Sequence, residues 1–258
     1  MLTLDLIDRS GHVLASWQGE KELQTAVDRT YEEGDAFRIQ GPAHLMACLD
    51  TGLAYSEVYL KNGTWTYRMP FGAERAAYAP MAFEGSRHVV MLREMDGEEI
   101  RQSRVISRNA HDQRGDTDAF PHAAANIETR GEACFAARNV IDGLHTNHGH
   151  GEWPYMSWGI GTREDAALTI DLGRTVAISE IRVLLRADFP HDSWFSALDL
   201  VLSGGEREHM DLVKTDRVQS LRAEHRASWV RVEQLVKADD PSPFPSIRQI
   251  EIIGRDLD

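Results

Sequence analysis

The stretch "ALTIDLGRTVAISEIRVLLR", residues 167–186, carries the strongest fold signal in the chain. Its apolar residues alternate with other residues in two runs: Leu168, Ile170 and Leu172, then Ile181, Val183 and Leu185. A period of two is typical of a strand that buries one face of its side chains. This stretch therefore predicts half-buried β-strands.

The same pattern continues to the end of the chain. Further strand signals are "ALDLVLSGG" (197–205), "SWVRVEQLV" (228–236) and "IRQIEIIG" (247–254). Short strands that recur with turns between them and little helix indicate a β-sandwich or jelly roll. We expect this architecture for the second half of the chain.

The first half shows similar signals between residues 34 and 108. "YSEVYLKNGTWTYRMP" (55–70) predicts a β-hairpin, because Asn62-Gly63 tolerates the positive φ angles of a tight turn. One helix is expected in "EKELQTAVDRTYE" (20–32), where Leu23, Ala26, Val27 and Tyr31 fall at helical spacing. These features predict a β-sandwich with one short helix.

A polar stretch, "SRNAHDQRGDTDA" (107–119), lacks apolar periodicity and is interpreted as a linker. The predicted domains are therefore 1–118 and 119–258. The predicted fold class is all-β, with two β-sandwich domains, the C-terminal one a jelly roll.

The composition limits which class of protein, which partners and which location are expected. The chain has 258 residues, a net charge of −13 and 42% hydrophobic residues, which suits a globular protein with a substantial core. Nucleic acid and anionic membranes are not expected as partners, because both require a concentrated basic surface. We expect Cys48 and Cys134 to be buried thiols. No signal peptide or apolar run of about 20 residues is visible, so a cytoplasmic location is expected.

The C-terminal half resembles a discoidin, or coagulation factor 5/8 type C, domain of the galactose-binding-like group. The resemblance rests on "FAARNVIDGLHTN" (135–147), the "SWG" of 157–159, the strand stretch 167–186 and "IRQIEIIGRD" (247–256). It covers about residues 119–258 and implies a jelly roll with Trp158 in the core. The whole chain also resembles a poorly characterised bacterial group of carbohydrate-binding-like proteins.

The resemblance implies a structural calcium ion beside the first loop of this domain. Its ligands would be Asp142 and Thr146, and Gln249 occupies the position where the family usually has a glutamate. Calcium takes six or more oxygen ligands, and an amide oxygen is a weaker ligand than a carboxylate. The predicted cofactor is this calcium ion and no other.

Two stretches, 147–159 and 186–194, are richer in polar and aromatic groups than turns require. If their loops leave the same end of the jelly roll, they form a ligand-binding site. Its predicted residues are His148, His150, Glu152, Trp153, Arg186, Asp188, His191, Asp192 and Trp194. Aromatic rings pack on the C–H face of a sugar, and charged groups form strong hydrogen bonds with its hydroxyls.

From the residues alone, two alternatives to saccharide binding remain open, and the first of them is an enzyme. His148, His150 and Glu152, with His191, are suitable ligands for a transition metal, and His191 with Asp192 and Arg186 could act as acid and base. Either arrangement would suit a lyase or isomerase acting on saccharides. A non-catalytic subunit of a complex is the other alternative. The favoured prediction is a carbohydrate-binding protein with a saccharide partner and possible self-association, and enzyme activity is left open.

Overall fold

The computed structural model describes residues 1–148, 153–187 and 193–257. Within these ranges most of the regular structure is β-strand. The strands are β1 (Leu2–Ile7), β2 (Val13–Gly19), β3 (Glu22–Asp28), β4 (Ala36–Gln40), β5 (His44–Cys48), β6 (Ser56–Leu60), β7 (Thr64–Arg68), β8 (Arg87–Glu94), β9 (Arg104–Val105), β10 (Ala119–Phe120), β11 (His122–Ala125), β12 (Trp158–Gly159), β13 (Leu168–Leu185), β14 (Phe195–Leu202), β15 (Arg207–Asp211), β16 (Gln219–Lys237) and β17 (Ser246–Asp256). The described residues contain one α-helix, α1 (Gly97–Arg101), and four 3₁₀ turns.

The first sandwich consists of two antiparallel sheets. One has the order β2-β1-β4-β7, and the other has the order β10-β6-β5-β8-β3. Their inner faces enclose a core that includes Leu4, Phe37, Tyr67 and Leu92. The predicted β-sandwich is therefore present in the first half of the chain.

The predicted helix at residues 20–32 is wrong. Residues 22–28 form β3, an edge strand that pairs with β8 from Glu22–Arg93 to Asp28–Arg87. Leu23 and Val27 are buried, and Thr25 between them is half-buried. This spacing fits a strand as well as a helix, and pairing with β8 decides in favour of the strand. The one short helix is α1, where Asp96 and Glu99 form a reciprocal capping box.

The predicted hairpin around Asn62-Gly63 is also wrong, although the turn is there. Gly63 has a φ of +68°, as the dipeptide suggested. However, β6 pairs with β5 and β10, whereas β7 pairs with β4. The turn therefore links the two sheets of the sandwich. β6 and β7 lie in opposite sheets, and each buries its apolar face in the shared core.

The second sandwich is built on two long bent strands, β13 and β16, of 18 and 19 residues. The path of hydrogen-bonded strands is β12-β17-β13-β16-β14-β15, with β11 beside β13 and β9 beside β17. The pairing of β13 with β16 shifts between Asp171 and Val176. At this bend Gly173 has a φ of +72°, and a Cβ there would lie 2.5 Å from the Phe120 ring.

The bend lets one hydrogen-bonded sheet fold over its own apolar face. Both runs of alternating residues in 167–186 lie in the resulting core, as the sequence predicted. Trp158 is fully buried there and donates a 2.8 Å hydrogen bond to the Ile127 carbonyl. Cys48 and Cys134 are buried free thiols, which confirms the expectation from their neighbours. No helix in the described ranges is long and apolar enough to cross a bilayer.

The segment between the sandwiches contacts both of them. β9 pairs with β17 of the second sandwich, β10 pairs with β6 of the first, and β11 returns to β13 of the second. Ile106 lies in the core of the second sandwich. The stretch interpreted as a linker thus fastens the two sandwiches together.

Candidate functional site

Three loops leave the second sandwich at the same end. Leu185, the last residue of β13, and Trp158 of β12 are both opposite Ile247 at the start of β17. Phe195, the first residue of β14, is opposite Lys237, the last residue of β16. The loop rim is defined here as the described residues of the loops before β12 (144–148 and 153–157), between β13 and β14 (186–187 and 193–194) and between β16 and β17 (238–245).

The loops of the rim meet at Arg186, which is fully buried. Its backbone N–H donates to the Ser246 carbonyl at 3.1 Å. Its guanidinium donates to the Tyr155 carbonyl and lies 5.5 Å from the centroid of the Tyr155 ring. Arg186 therefore holds the loop before β12 against the start of β17. A residue so buried positions the loops rather than presenting its own charge to a ligand.

The other predicted site residues are not all brought together. Trp153 packs against the core of the first sandwich, whereas Trp194 is half-buried against the core of the second. His148 is exposed, and its backbone N–H donates to the Pro154 carbonyl at 3.0 Å. The remaining predicted ligand residues lie outside the described residues: His150, Glu152, Asp188, His191 and Asp192.

Tyr155 adds a phenol group to the rim. Burial, together with a hydrogen bond that the Tyr155 hydroxyl donates to the Cys134 sulfur, raises the pKa of Tyr155 to about 12. The phenol is therefore protonated at neutral pH, and its oxygen is able to accept a hydrogen bond. Its ring also contacts Phe135 edge-on, with centroids 6.3 Å apart.

Sequence reasoning missed the third loop of the rim. Phe244 in this loop is 52% exposed and is flanked by Pro243 and Pro245. Proline restricts the backbone of its neighbours, so the ring is displayed on a stiffened loop. The run "PSPFPS" (241–246), an aromatic residue among prolines in a loop, was the signal that could have identified it.

Buried polar groups without partners also lie in the rim or at its base. Ser193 in the second loop and Ser246 next to the third have hydroxyls with no hydrogen-bond partner among the described residues. Arg248, fully buried on β17, likewise has no partner for Nε or Nη2 in the described part of the chain. Since buried donors are normally satisfied, these groups mark the rim as a place where a polar ligand or ordered water would be stabilising.

The residues of the implied calcium site do not fit a calcium ion as they are placed. The Asp142 carboxylate accepts hydrogen bonds from the Gln249 amide at 2.7 Å and from the Leu144 N–H at 2.8 Å. Arg248 Nη1 lies 3.3 Å from the same carboxylate and donates to the Asn139 carbonyl at 3.1 Å. A buried guanidinium therefore already supplies positive charge to these oxygens.

The two remaining expected ligands are also unsuited to calcium. Gln249 turns its Nε2 toward Asp142, while its Oε1 accepts from the Gly143 N–H at 3.0 Å. Thr146 is exposed. The loop is thus held by an arginine and an amide in the arrangement where the family resemblance implied a metal.

One other cluster has the composition of a metal site. His44, Glu57 and Asp256 place one ligand atom each within 4.8 Å of one another, at the junction of the two sandwiches. Arg104 donates to both carboxylates at 2.7 Å, and Arg174 donates to both as well. Two guanidinium groups in contact with both carboxylates make the cluster an ion-pair network and not a cation site.

The comparisons with known proteins found similar solved structures and no match to a family model or a curated protein. A structure of the lectin domain of lectinolysin, complexed with Lewis B antigen, is similar over 60% of this chain and 98% of its own length, with 19% identity and a TM-score of 0.44. A Streptococcus pneumoniae fucose-binding module covers 58% of this chain and 94% of its own length, with 14% identity and a TM-score of 0.42.

A third similar structure is the family 32 carbohydrate-binding module of C. perfringens NanJ in complex with galactose. It covers 51% of this chain and 91% of its own length, with 16% identity and a TM-score of 0.39. The similar structures thus include several carbohydrate-binding modules, and each of the three described here is much shorter than this two-sandwich protein.

Proposed function

We propose that this protein is a carbohydrate-binding protein and that the loop rim of its second sandwich holds the saccharide. The observation that carries the proposal is the convergence of three loops beside an exposed aromatic ring, Phe244, and buried donors without partners. Saccharides are recognised by this combination, because their rings have apolar C–H faces and their edges carry hydroxyls.

Each part of the rim has a distinct role in this proposal. Phe244 packs against the apolar face of a pyranose, and its proline neighbours reduce the entropy lost on binding. The half-buried Tyr155 phenol forms a hydrogen bond with a sugar hydroxyl. Arg186 acts indirectly, since its bond to the Tyr155 carbonyl fixes the first loop relative to the third.

The alternative of an enzyme requires His148, Arg186 and residues of the two undescribed segments. Two members of that set are described: His148 is exposed, and Arg186 is fully buried and bound to the Tyr155 carbonyl. The exposed aromatic ring favours binding. We therefore favour saccharide binding over catalysis at the loop rim.

The test is a glycan array followed by calorimetric titration of the best saccharide. We expect Phe244→Ala to weaken binding by about 1–2 kcal/mol, which is about five- to thirty-fold in Kd. Tyr55→Ala is the matched control, because Tyr55 is also an exposed aromatic residue, 43% accessible, but lies in the first sandwich. Equal affinity of Phe244→Ala and the control for every bound glycan would refute the placement at the rim.

A further inference from the structure

A polar cavity lies beside the first sandwich, and no residue of the loop rim lines it. It has a volume of about 280 Å³ and lies between β7 and the segment 109–119. The side chain of Gln113 binds the backbone of Arg68 twice, accepting from its N–H at 3.1 Å and donating to its carbonyl at 2.7 Å. These two bonds hold the segment along the free edge of β7. The cavity is termed the β7 pocket.

The edge of β7 offers backbone groups to this pocket. β7 is the last strand in its sheet, so one side of it has no neighbouring strand. Backbone groups point to the same side at every second residue of a strand. Because the N–H and carbonyl of Arg68 point outward to Gln113, those of Thr66 point outward as well. Thr66 lines the pocket and so supplies one donor and one acceptor.

His111 contributes a buried donor to the wall of the pocket. It is 1% exposed, and its Nε2 accepts a hydrogen bond from the Leu49 N–H at 3.2 Å. Burial, assisted by the nearby Arg138 charge, lowers the pKa of His111 to about 3, so the ring is neutral. The proton therefore lies on Nδ1, which is buried and has no hydrogen-bond partner among the residues that the structure describes.

The position of the His111 ring is fixed by aromatic contacts. Trp65 and Tyr67 each meet it edge-on, with centroids 6.0 and 6.2 Å away. Trp65 also lines the pocket and adds an apolar surface to it. These contacts hold the His111 ring rigidly in the wall of the pocket.

The charges around the pocket are balanced. Arg68 and Asp116 line it, are exposed, and form no ion pair within the described part of the chain. The other charged groups are already engaged: Asp112 accepts from His122 at 2.7 Å, and Arg114 pairs with Glu74 and Glu128. Among the described residues that line the pocket, Arg68 and Asp116 thus carry opposite charges without an ion-pair partner, although the Asp116 charge also helps raise the pKa of His122.

We propose that the β7 pocket binds a small neutral polyhydroxy molecule of monosaccharide size. A neutral ligand fits the balance of Arg68 and Asp116, whereas an anion would meet the carboxylate and a cation the guanidinium. Hydroxyl groups both donate and accept, as Thr66 and the two charged groups require. The volume lies near the lower limit of ligand pockets, about 300 Å³, which suits one sugar ring.

The test uses the full-length protein and saturation-transfer NMR with calorimetric titration. The probes are neutral hexoses and pentoses, with glucuronate as an anionic and glucosamine as a cationic comparison. We expect a neutral sugar to bind, and Arg68→Gln and Asp116→Asn each to weaken that binding at least tenfold. Arg87→Gln is the matched control, because Arg87 is an exposed arginine on β8.

Variants distinguish binding at the β7 pocket from binding at the loop rim. Binding at the β7 pocket should survive Phe244→Ala, which removes the exposed ring of the loop rim. The proposal is overturned if no neutral sugar binds, if glucuronate or glucosamine binds more tightly, or if neither Arg68→Gln nor Asp116→Asn weakens binding. If Phe244→Ala alone abolishes all binding, the loop rim stands and the β7 pocket does not.

Discussion

Replacing Glu57 by glutamine should destabilise the protein more than any other single loss of charge at the junction of the sandwiches. Glu57 lies on β6 of the first sandwich, and its side chain is 10% exposed. It accepts from Arg104 through both oxygens at 2.7 Å and from Arg174 at 2.9 Å. Glutamine keeps the shape of the side chain but leaves these guanidinium groups with less compensating charge.

The magnitude follows from the pKa of Glu57. Burial alone would raise it, but hydrogen bonds from His44 and Arg104 and the charges of Arg174 and Arg104 outweigh burial and lower the pKa to about 2. The unfolded value is near 4.5, so the charged form contributes about 3 kcal/mol at neutral pH, at about 1.4 kcal/mol per pH unit. We expect Glu57→Gln to lower the free energy of unfolding by about 2–4 kcal/mol at pH 7.

The sign of the pH dependence gives a second readout. A carboxyl group whose folded pKa is lowered stabilises the fold above its unfolded pKa and loses that contribution as pH falls toward the folded value. The difference in stability between the wild type and Glu57→Gln should therefore be constant above about pH 5.5. It should shrink steadily as pH falls below about 4.5.

Urea denaturation at several pH values between 3.5 and 7 measures this difference. Glu224→Gln is the control, because Glu224 pairs with Arg222 on the surface and both side chains are more than half exposed. We expect that control to leave stability nearly unchanged. A Glu57→Gln effect below about 0.5 kcal/mol at pH 7, or one that does not vary with pH, would refute the account of the network.

The remaining predictions concern the metal, a close contact and the thiols. Neither calcium nor a chelator should shift the melting temperature, because Arg248 already provides the positive charge in the implied calcium site; a shift of several degrees with calcium would contradict this. Gly254→Ala should cost at least about 2 kcal/mol in urea denaturation, since a Cβ there would lie 2.4 Å from the Ala177 carbonyl oxygen. Burial raises the pKa of the Cys48 and Cys134 thiols, so iodoacetamide at pH 7.5 should label the native protein far more slowly than the unfolded chain.

Local patterns predicted the second sandwich well because its strands bury one face along long runs. The alternation in 167–186 is unambiguous, and both of its runs lie in the core. The segment 20–32 was ambiguous, because Leu23 and Val27 are four residues apart and suit either a helix or a strand. Pairing with β8 decides that case, and single-chain patterns do not reveal which strand will be a neighbour.

The site was predictable only in part, for a related reason. The loop positions followed from strand order, and Arg186 and Tyr155 do bring two of the loops together. The burial of Arg186 depends on the loop that packs over it, which no local pattern specifies. Phe244 was missed because an exposed apolar residue has no periodic signal, although its three neighbouring prolines already mark a stiff loop.

A buried arginine, Arg138, links the base of the loop rim to the first sandwich. Arg138, in the stretch that carries the discoidin resemblance, donates to the carbonyls of Asp112 and Ala110 at 2.6 and 2.8 Å. Its guanidinium lies 4.5 Å from the centroid of Tyr78 in the first sandwich. The loop that follows is therefore held against that sandwich, which is why Trp153 packs into its core. The proposed ligand surface at the rim is consequently shaped by both sandwiches, and the segment that joins them is part of its support.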